Sequence, residues 1–356
     1  TAFAMPAMAQ TAGSNVIEEL VVTAQKKEEA LQDVPIAVSA FDQNALEKSK
    51  IDGGPNLVLA VPNVNFSKGN FTGYNFQIRG IGSKLVSGSG DAGTGIHLNN
   101  APLTANNLFE SEFFDVERVE VLRGPQGTLY GRNTPAGVVK FDSAKPTFNQ
   151  EGYFNFSTGT YLTTNVESAY NIPLSKTVAL RVSGLLQRRE DWVDNIVSPQ
   201  GKTSLEGYTD GAFRAQLLYQ PSATFSALFN VHTRQLEGTA RLFRANIIQP
   251  GTNDLVDGFR RSEVAIDGRN EQDLHGTGAS VRLRWDVGQY SLHSISGYEH
   301  VISYSRGDID GGFGAAFLPV SGPGVIPFAS ESADGMPKHR QLSQELRIES
   351  AQSGAL

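Results

Sequence analysis

The stretch Ala223-Thr224-Phe225-Ser226-Ala227-Leu228-Phe229-Asn230-Val231-His232-Thr233-Arg234 sets Phe225, Ala227, Phe229 and Val231 against Thr224, Ser226, Asn230, His232 and Arg234. Successive side chains of an extended strand point to opposite faces, so a period of two describes a strand with one apolar and one polar face. Thr177–Trp192 repeats the pattern, with Val178, Leu180, Val182, Leu186 and Trp192 opposing Arg181, Ser183, Gln187 and Arg189. It recurs around Val166, Tyr170 and Ile172, around Phe213, Ala215, Leu217 and Tyr219, around Val281, Leu283 and Trp285, and around Leu342, Leu346 and Ile348. Eight strands follow, at about 152–161, 164–173, 177–191, 208–219, 223–236, 272–286, 289–306 and 341–350.

Two architectures use such strands: a soluble sandwich and a membrane barrel. Connection length separates them. Leu174–Lys176, Gln220–Ser222 and Val287–Gly288 are short, whereas the segments at 192–207, 237–271 and 307–340 are long, and on that second rim only the first connection, near Leu162–Thr163, is short. Short turns on one rim and long loops on the other is the outer-membrane pattern, with turns periplasmic and loops extracellular. Tyr219, Trp285 and Tyr290 lie beside the turns, and Trp192 and Tyr304 near the loops. All fall on the apolar parity, as interfacial aromatics do. No run approaches the roughly 18 apolar residues of a membrane helix, which leaves a barrel untouched.

Composition narrows the rest. A net charge of −7 argues against a nucleic-acid partner. With no Cys, disulfides and thiolate metal sites are excluded.

The first 147 residues read differently. Ala7-x-Ala9 has the small-x-small form of a signal-peptidase site, so residues 1–9 read as the end of a signal peptide. Residues 10–29 read as a flexible arm carrying one extended segment, Ile17–Ala24. Residues 30–147 read as a small α+β domain. Its expected helices are Phe41–Ser49, capped by Asp42, and Asn56–Ala60. Its expected strands are Asn75–Gly80, Gly95–Asn99, Val116–Arg123 and Gly137–Asp142. Such a globule, roughly 35 Å across, cannot enter an eight-stranded barrel, whose lumen holds only side chains. It fits a 22-stranded, plugged barrel. Residues 148–356 are therefore expected to be the first eight strands of a presumed 22, with a C-terminal part missing.

Three motifs carry a family resemblance. Ile17-Glu18-Glu19-Leu20-Val21-Val22-Thr23-Ala24, continuing to Val38, resembles the TonB box and plug start of TonB-dependent outer-membrane receptors. Gln77-Ile78-Arg79-Gly80-Ile81-Gly82 resembles an inner plug strand. Val116–Arg123 followed by Gly124-Pro125-Gln126-Gly127-Thr128-Leu129-Tyr130-Gly131-Arg132-Asn133-Thr134 is the most specific match. Two places depart from the family. Asn99-Asn100 stands where Asp-Gly is common, and Val138-Val139-Lys140-Phe141-Asp142 replaces a Gly-rich ending. Asn tolerates positive φ, so the turn survives.

The resemblance implies an α+β plug domain followed by an antiparallel transmembrane β-barrel in the bacterial outer membrane, in contact with its lipid. It also implies active import of a scarce extracellular solute, driven by a TonB-type energy-transducing protein that pulls on the box. Ferric siderophore is the first expectation for cargo, with oligosaccharides and vitamins as alternatives. A passive porin or surface adhesin is the rival class, but needs neither plug nor box.

Residue roles follow. Glu18, Glu19, Leu20, Val21, Val22, Thr23 and Ala24 form an extended segment able to add to a partner's sheet. Because the arm precedes the plug, proline there is expected to leave the plug core undisturbed. Gly80, Gly124, Gly127 and Gly131 read as turn glycines. Arg79, Glu117, Arg118, Glu120, Arg123 and Arg132 read as a charged set locking plug to barrel. No substrate-binding residue, cofactor or metal is assigned. Gly88–Gly93 matches GxGxxG without the strand and helix that a dinucleotide site needs. Asp308-Ile309-Asp310-Gly311 reads as a solvated turn, because the other EF-hand ligands are absent. No triad supports an enzyme.

Overall fold

The computed structural model describes residues 20–49, 51, 54–68, 74–82, 92–104, 114–197, 204–312 and 330–350. Residues 1–9, read above as the end of a signal peptide, Glu18 and Glu19 of the expected box, and most of Gly88–Gly93 lie outside them.

The N-terminal elements are β1 (Val21–Val22), β2 (Glu29–Ala30), β3 (Ala37–Asp42), α1 (Gln43–Lys48), α2 (Gly54–Ala60), β4 (Val64–Lys68), β5 (Tyr74–Ile78), β6 (Thr94–Leu98), β7 (Ala101–Leu103), β8 (Val116–Arg123), α3 (Gly127–Tyr130) and β9 (Gly137–Ser143). Five strands form one sheet in the order β3-β8-β9-β6-β7, with β6 and β9 parallel and the other pairs antiparallel. Asp42 caps α1 by accepting from the Ala45 N–H at 2.7 Å. Asn99 and Asn100 turn β6 into β7 at φ 50° and 71°.

Parity decides the two faces of this sheet. Val119, Val121, Val139 and Phe141 join Leu57 and Ile78 in one core. Leu122 and Val138 face the other way, against Val22, Ala24 and Tyr130. Arg118 and Glu120 of β8, and Lys140 and Asp142 of β9, share that second parity.

Eight strands then form one antiparallel sheet: β10 (Gly152–Thr158), β11 (Thr164–Pro173), β12 (Val178–Arg189), β15 (Tyr208–Ser222), β16 (Phe225–Gly238), β18 (Glu271–Val287), β19 (Tyr290–Asp308) and β20 (Glu331–Ser350), hydrogen-bonded in chain order. Its outward face is apolar and exposed, with Phe154, Phe156, Leu186, Phe213, Phe229, Val231, Trp285, Leu342 and Leu346. Its inward face is polar and buried, with Arg181, Arg214, Gln216, Asn230 and Arg234. That inverted polarity suits a barrel wall in lipid and not a soluble sandwich.

Two details differ from expectation. The last strand starts at Glu331 rather than near 341, because a bulge opposite Val301–Ser303 accommodates Pro337, which cannot donate to a ladder. Trp192 is not an interfacial aromatic. It stacks on Tyr161 at 4.8 Å and packs on Val193, Leu205, Val264 and Ile266. These belong to a small sheet of β13 (Val193–Asn195), β14 (Ser204–Leu205) and β17 (Glu263–Val264) built from the long connections.

Candidate functional site: an arm held by the plug sheet

The described part of the arm is docked, not free. Val21 and Val22 pair with Ala30 and Glu29. Val22 and Ala24 are fully buried. The arm therefore contributes to the plug core, which corrects the expectation that it stands apart.

Beneath it lies a four-charge cluster. The β8–β9 register sets Glu120 opposite Lys140 and Arg118 opposite Asp142. Arg118 Nε lies 2.5 Å from Glu120 Oε1, Arg118 Nη2 3.0 Å from Asp142, and Lys140 Nζ 2.6 Å from Asp142. Glu120 and Lys140 are wholly buried. Two positive and two negative charges balance, as buried ions require.

The arm completes this cluster. The Thr23 N–H donates to Glu120 Oε1 at 2.7 Å. The Thr23 hydroxyl accepts from Lys140 Nζ and from Arg118 Nη2, the latter at 3.3 Å, and lies 3.3 Å from both Asp142 Oδ2 and Glu120 Oε1. Arg118 Nη1 donates to Val21 O at 2.9 Å, and the Tyr130 hydroxyl donates to Ala24 O at 2.8 Å. Lys26 reaches Glu345 on β20 at 2.5 Å.

Titration behaviour follows from this packing. Burial pushes the Asp142 carboxyl up, but Lys140 and Arg118 outweigh it and hold Asp142 well below the usual carboxylate range. Burial, with Glu120 and Asp142 nearby, raises the Tyr130 phenol well above its ordinary value, so it stays a donor. Burial lowers His97, edge-on to Tyr130 at 5.0 Å, to about 4.

Among the described residues, the charged set expected to lock plug to barrel does not reach the barrel strands. Arg118 and Glu120 face the arm. Glu117 pairs with Lys145 at 3.0 Å, Arg123 reaches Pro62 O at 3.5 Å, and Arg79 and Arg132 are exposed. In the described part of the barrel, other residues hold the plug. Asp115 receives Arg181 Nε at 3.0 Å and Arg181 Nη2. Arg214 sits over the Phe114 ring at 4.6 Å, Gln216 donates to Ala144 O at 2.6 Å, and Gln341 donates to Pro102 O at 2.5 Å. Parity again explains this, because these barrel side chains lie on the polar face of alternating strands. Among the turn glycines, Gly80, Gly124 and Gly131 have positive φ, whereas Gly127 starts α3.

At the opposite, long-loop end lies a cavity of about 750 Å³ between plug and barrel wall, lined by Phe66, Phe114, Arg189, Tyr208 and Arg241 among others. Asp308, expected in a solvated turn, is buried and accepts from the Gly268 and Gly311 N–H groups at 3.0 and 2.8 Å. Asp267, Asp308 and Asp310 bring their oxygens within 4.8 Å of one another.

Comparison with known proteins agrees with this architecture. The family model for the TonB-dependent Receptor Plug Domain matches residues 30–138. A ferrioxamine receptor of Yersinia enterocolitica is 25% identical over 209 residues, 57% of this chain and 28% of that protein. An iron-regulated outer membrane virulence protein of Vibrio cholerae serotype O1 is 28% identical over 298 residues, 78% of this chain and 43% of that protein. The ferric yersiniabactin uptake receptor FyuA of Yersinia pestis superposes with a TM-score of 0.70 at 16% identity, over 90% of this chain and 46% of that one. The chain thus spans less than half the length of these relatives. Residues 30–138 thus match the plug domain of TonB-dependent receptors, and the polar face of an antiparallel sheet that turns its apolar face outward lies against them, the fold shared with the receptor structures above.

Proposed function

We propose that the full-length protein is an energy-coupled outer-membrane importer of a ferric siderophore, with Glu18–Ala24 as the strand its TonB-type partner takes hold of. The supporting observation is the disposition of two sites on opposite ends of one plug. The arm meets Glu345, near the short-turn rim, while the cavity opens among the long-loop ends of β12, β15 and β16. A solute arriving from outside and a motor pulling from the periplasm need this arrangement.

Iron as cargo is supported by relatives named for ferrioxamine and for iron regulation. A vitamin remains the second reading, because a Vibrio vulnificus vitamin B12 transporter is 29% identical over 130 residues. Growth of a deletion strain carrying the full-length gene, on single ferric chelates or on cobalamin as sole supplement, tests the cargo. Rescue by a ferric chelate supports the proposal. Rescue by cobalamin alone replaces it.

A further inference from the structure

The outward face of the wall is not evenly filled. One level of it runs Phe154, Ser168, Gly184, Phe213 across β10, β11, β12 and β15, each residue opposite the next in the register. Two exposed rings stand at the sides, and two small residues lie between them. Neighbouring strands are about 4.8 Å apart, so three spacings root the rings about 14 Å from one another. The next level towards the short turns sets Tyr170 opposite Val182. A Cβ at Gly152 would lie 2.5 Å from the Tyr170 ring, so that ring leans over β10 and not over Gly184. A Cβ at Gly184 would meet only Ala212 O, at 3.7 Å. The result is an open hollow of about 580 Å³ on the face turned away from the plug.

We propose that this hollow seats one acyl chain of a phospholipid of the periplasmic leaflet. The hollow is continuous with the apolar face that the wall turns outward, so hydrocarbon reaches it without leaving its own phase. Among lipid tails no hydrophobic force favours one surface over another, and packing alone distinguishes a seated chain from a passing one. A chain lying between the Phe154 and Phe213 rings gains contacts on two flanks that a flat stretch of wall does not offer.

Depth selects the leaflet. A spanning strand needs about 9–11 residues. Gly184 is the seventh of the 12 residues of β12, near mid-depth. Tyr170 stands three residues before β11 ends at Pro173, on the short-turn side. Its hydroxyl accepts from Gln150 Nε2 at 2.6 Å and keeps its own hydrogen to donate. The hollow thus has an apolar end in the middle of the bilayer and a hydroxyl near the periplasmic surface, where tyrosines meet head groups. A periplasmic-leaflet phospholipid matches both ends, tail to Gly184 and ester carbonyl to Tyr170. A lipid of the outer leaflet brings its head group to the opposite end.

The test uses the full-length receptor, reconstituted with phosphatidylethanolamine and lipopolysaccharide, extracted in mild detergent and weighed intact by mass spectrometry as free lipid is diluted away. The parent is expected to keep one phosphatidylethanolamine after the others have left. Gly184→Phe puts a ring into the hollow, and its φ lies outside the left-handed region, so the backbone is not strained. It should release that lipid about tenfold faster, through the lost chain contacts. Gly211→Phe is the matched control. Gly211 lies opposite Leu186 on the same outward face, a Cβ there meets nothing within 4 Å, and it does not line the hollow. This variant should behave as the parent. Tyr170→Phe should release the lipid about fivefold faster, the effect of one hydrogen bond. Ser168→Leu fills the hollow from the adjacent strand and replaces Gly184→Phe if that variant does not assemble. Equal retention by the parent, both filling variants and Gly211→Phe overturns the inference. So does retention of lipopolysaccharide in place of phosphatidylethanolamine. A dimeric parent that Gly184→Phe converts to monomers would seat a second copy of the chain there instead and also overturn it.

Discussion

Gly137 has no room for a side chain. At φ +149°, a Cβ there would lie 2.1 Å from Leu122 O on the neighbouring strand. Gly137→Ala must therefore separate β8 from β9, the two strands that carry the charge cluster. It is predicted to cost more than about 2 kcal/mol, as strained backbone substitutions in cores do. A lowered thermal midpoint of the full-length receptor in detergent checks this. His97 gives a second prediction at the same scale. It is neutral in the folded plug, with its titration lowered from 6.5 to about 4. Its contribution is complete above pH 6.5 and declines as pH falls towards 4, by about 1.4 kcal/mol per unit, because only the unfolded chain takes the proton readily. Below that window both states are protonated and the loss stops. Asp142, held low, adds a loss in the same direction at more acidic pH. His97→Gln should flatten the dependence of the midpoint on pH between 6.5 and 4. An unchanged slope would contradict it.

Among the elements, the long strands were legible because one face meets lipid and the other a wet interior, so every second residue declares its side. Val116–Arg123 coincides with β8 to the residue. The short strands β3, β4 and β7 were not legible. With three to six residues they carry too little periodicity, and β3 runs straight into the capped helix at Asp42. The site was half legible. Arg118 and Glu120 stood out as charges, but Lys140 and Asp142 showed only as a departure from the family ending. What joins the four is the cross-strand register, which a single strand's pattern does not contain. Asp115 was missed for the same reason, since Arg181 lies 66 residues away. Asp115→Asn leaves the Arg181 guanidinium buried without its counter-charge and is predicted to weaken plug–barrel attachment by about 3–5 kcal/mol. Pairing it with Arg181→Met should recover part of the loss. Protease sensitivity of the plug in the full-length receptor measures both. For the arm, Leu20→Pro removes a backbone donor within the proposed strand. It should abolish uptake while surface binding of ligand stays near the parental level, and Leu20→Val should retain most uptake. Loss of surface binding with Leu20→Pro would assign the segment to plug structure instead.

At the scale of the whole molecule, the sheet's inverted polarity and its unequal connections fix an orientation. The exposed residues Asn253, in a long connection, and Ser222, at a short turn, lie on opposite rims. Epitope tags there, in the full-length protein, should be labelled on intact cells at Asn253 and not at Ser222. The reverse pattern would invert the topology and place the arm outside the cell. The proposal with the widest consequence is that the full-length protein moves its cargo only when the arm is pulled. The most direct measurement is uptake of an iron-labelled chelate by cells expressing the full-length protein, before and after collapse of the proton gradient, with surface binding followed in parallel. Uptake is expected to stop while binding persists. Uptake that continues at the same rate in de-energised cells would contradict it.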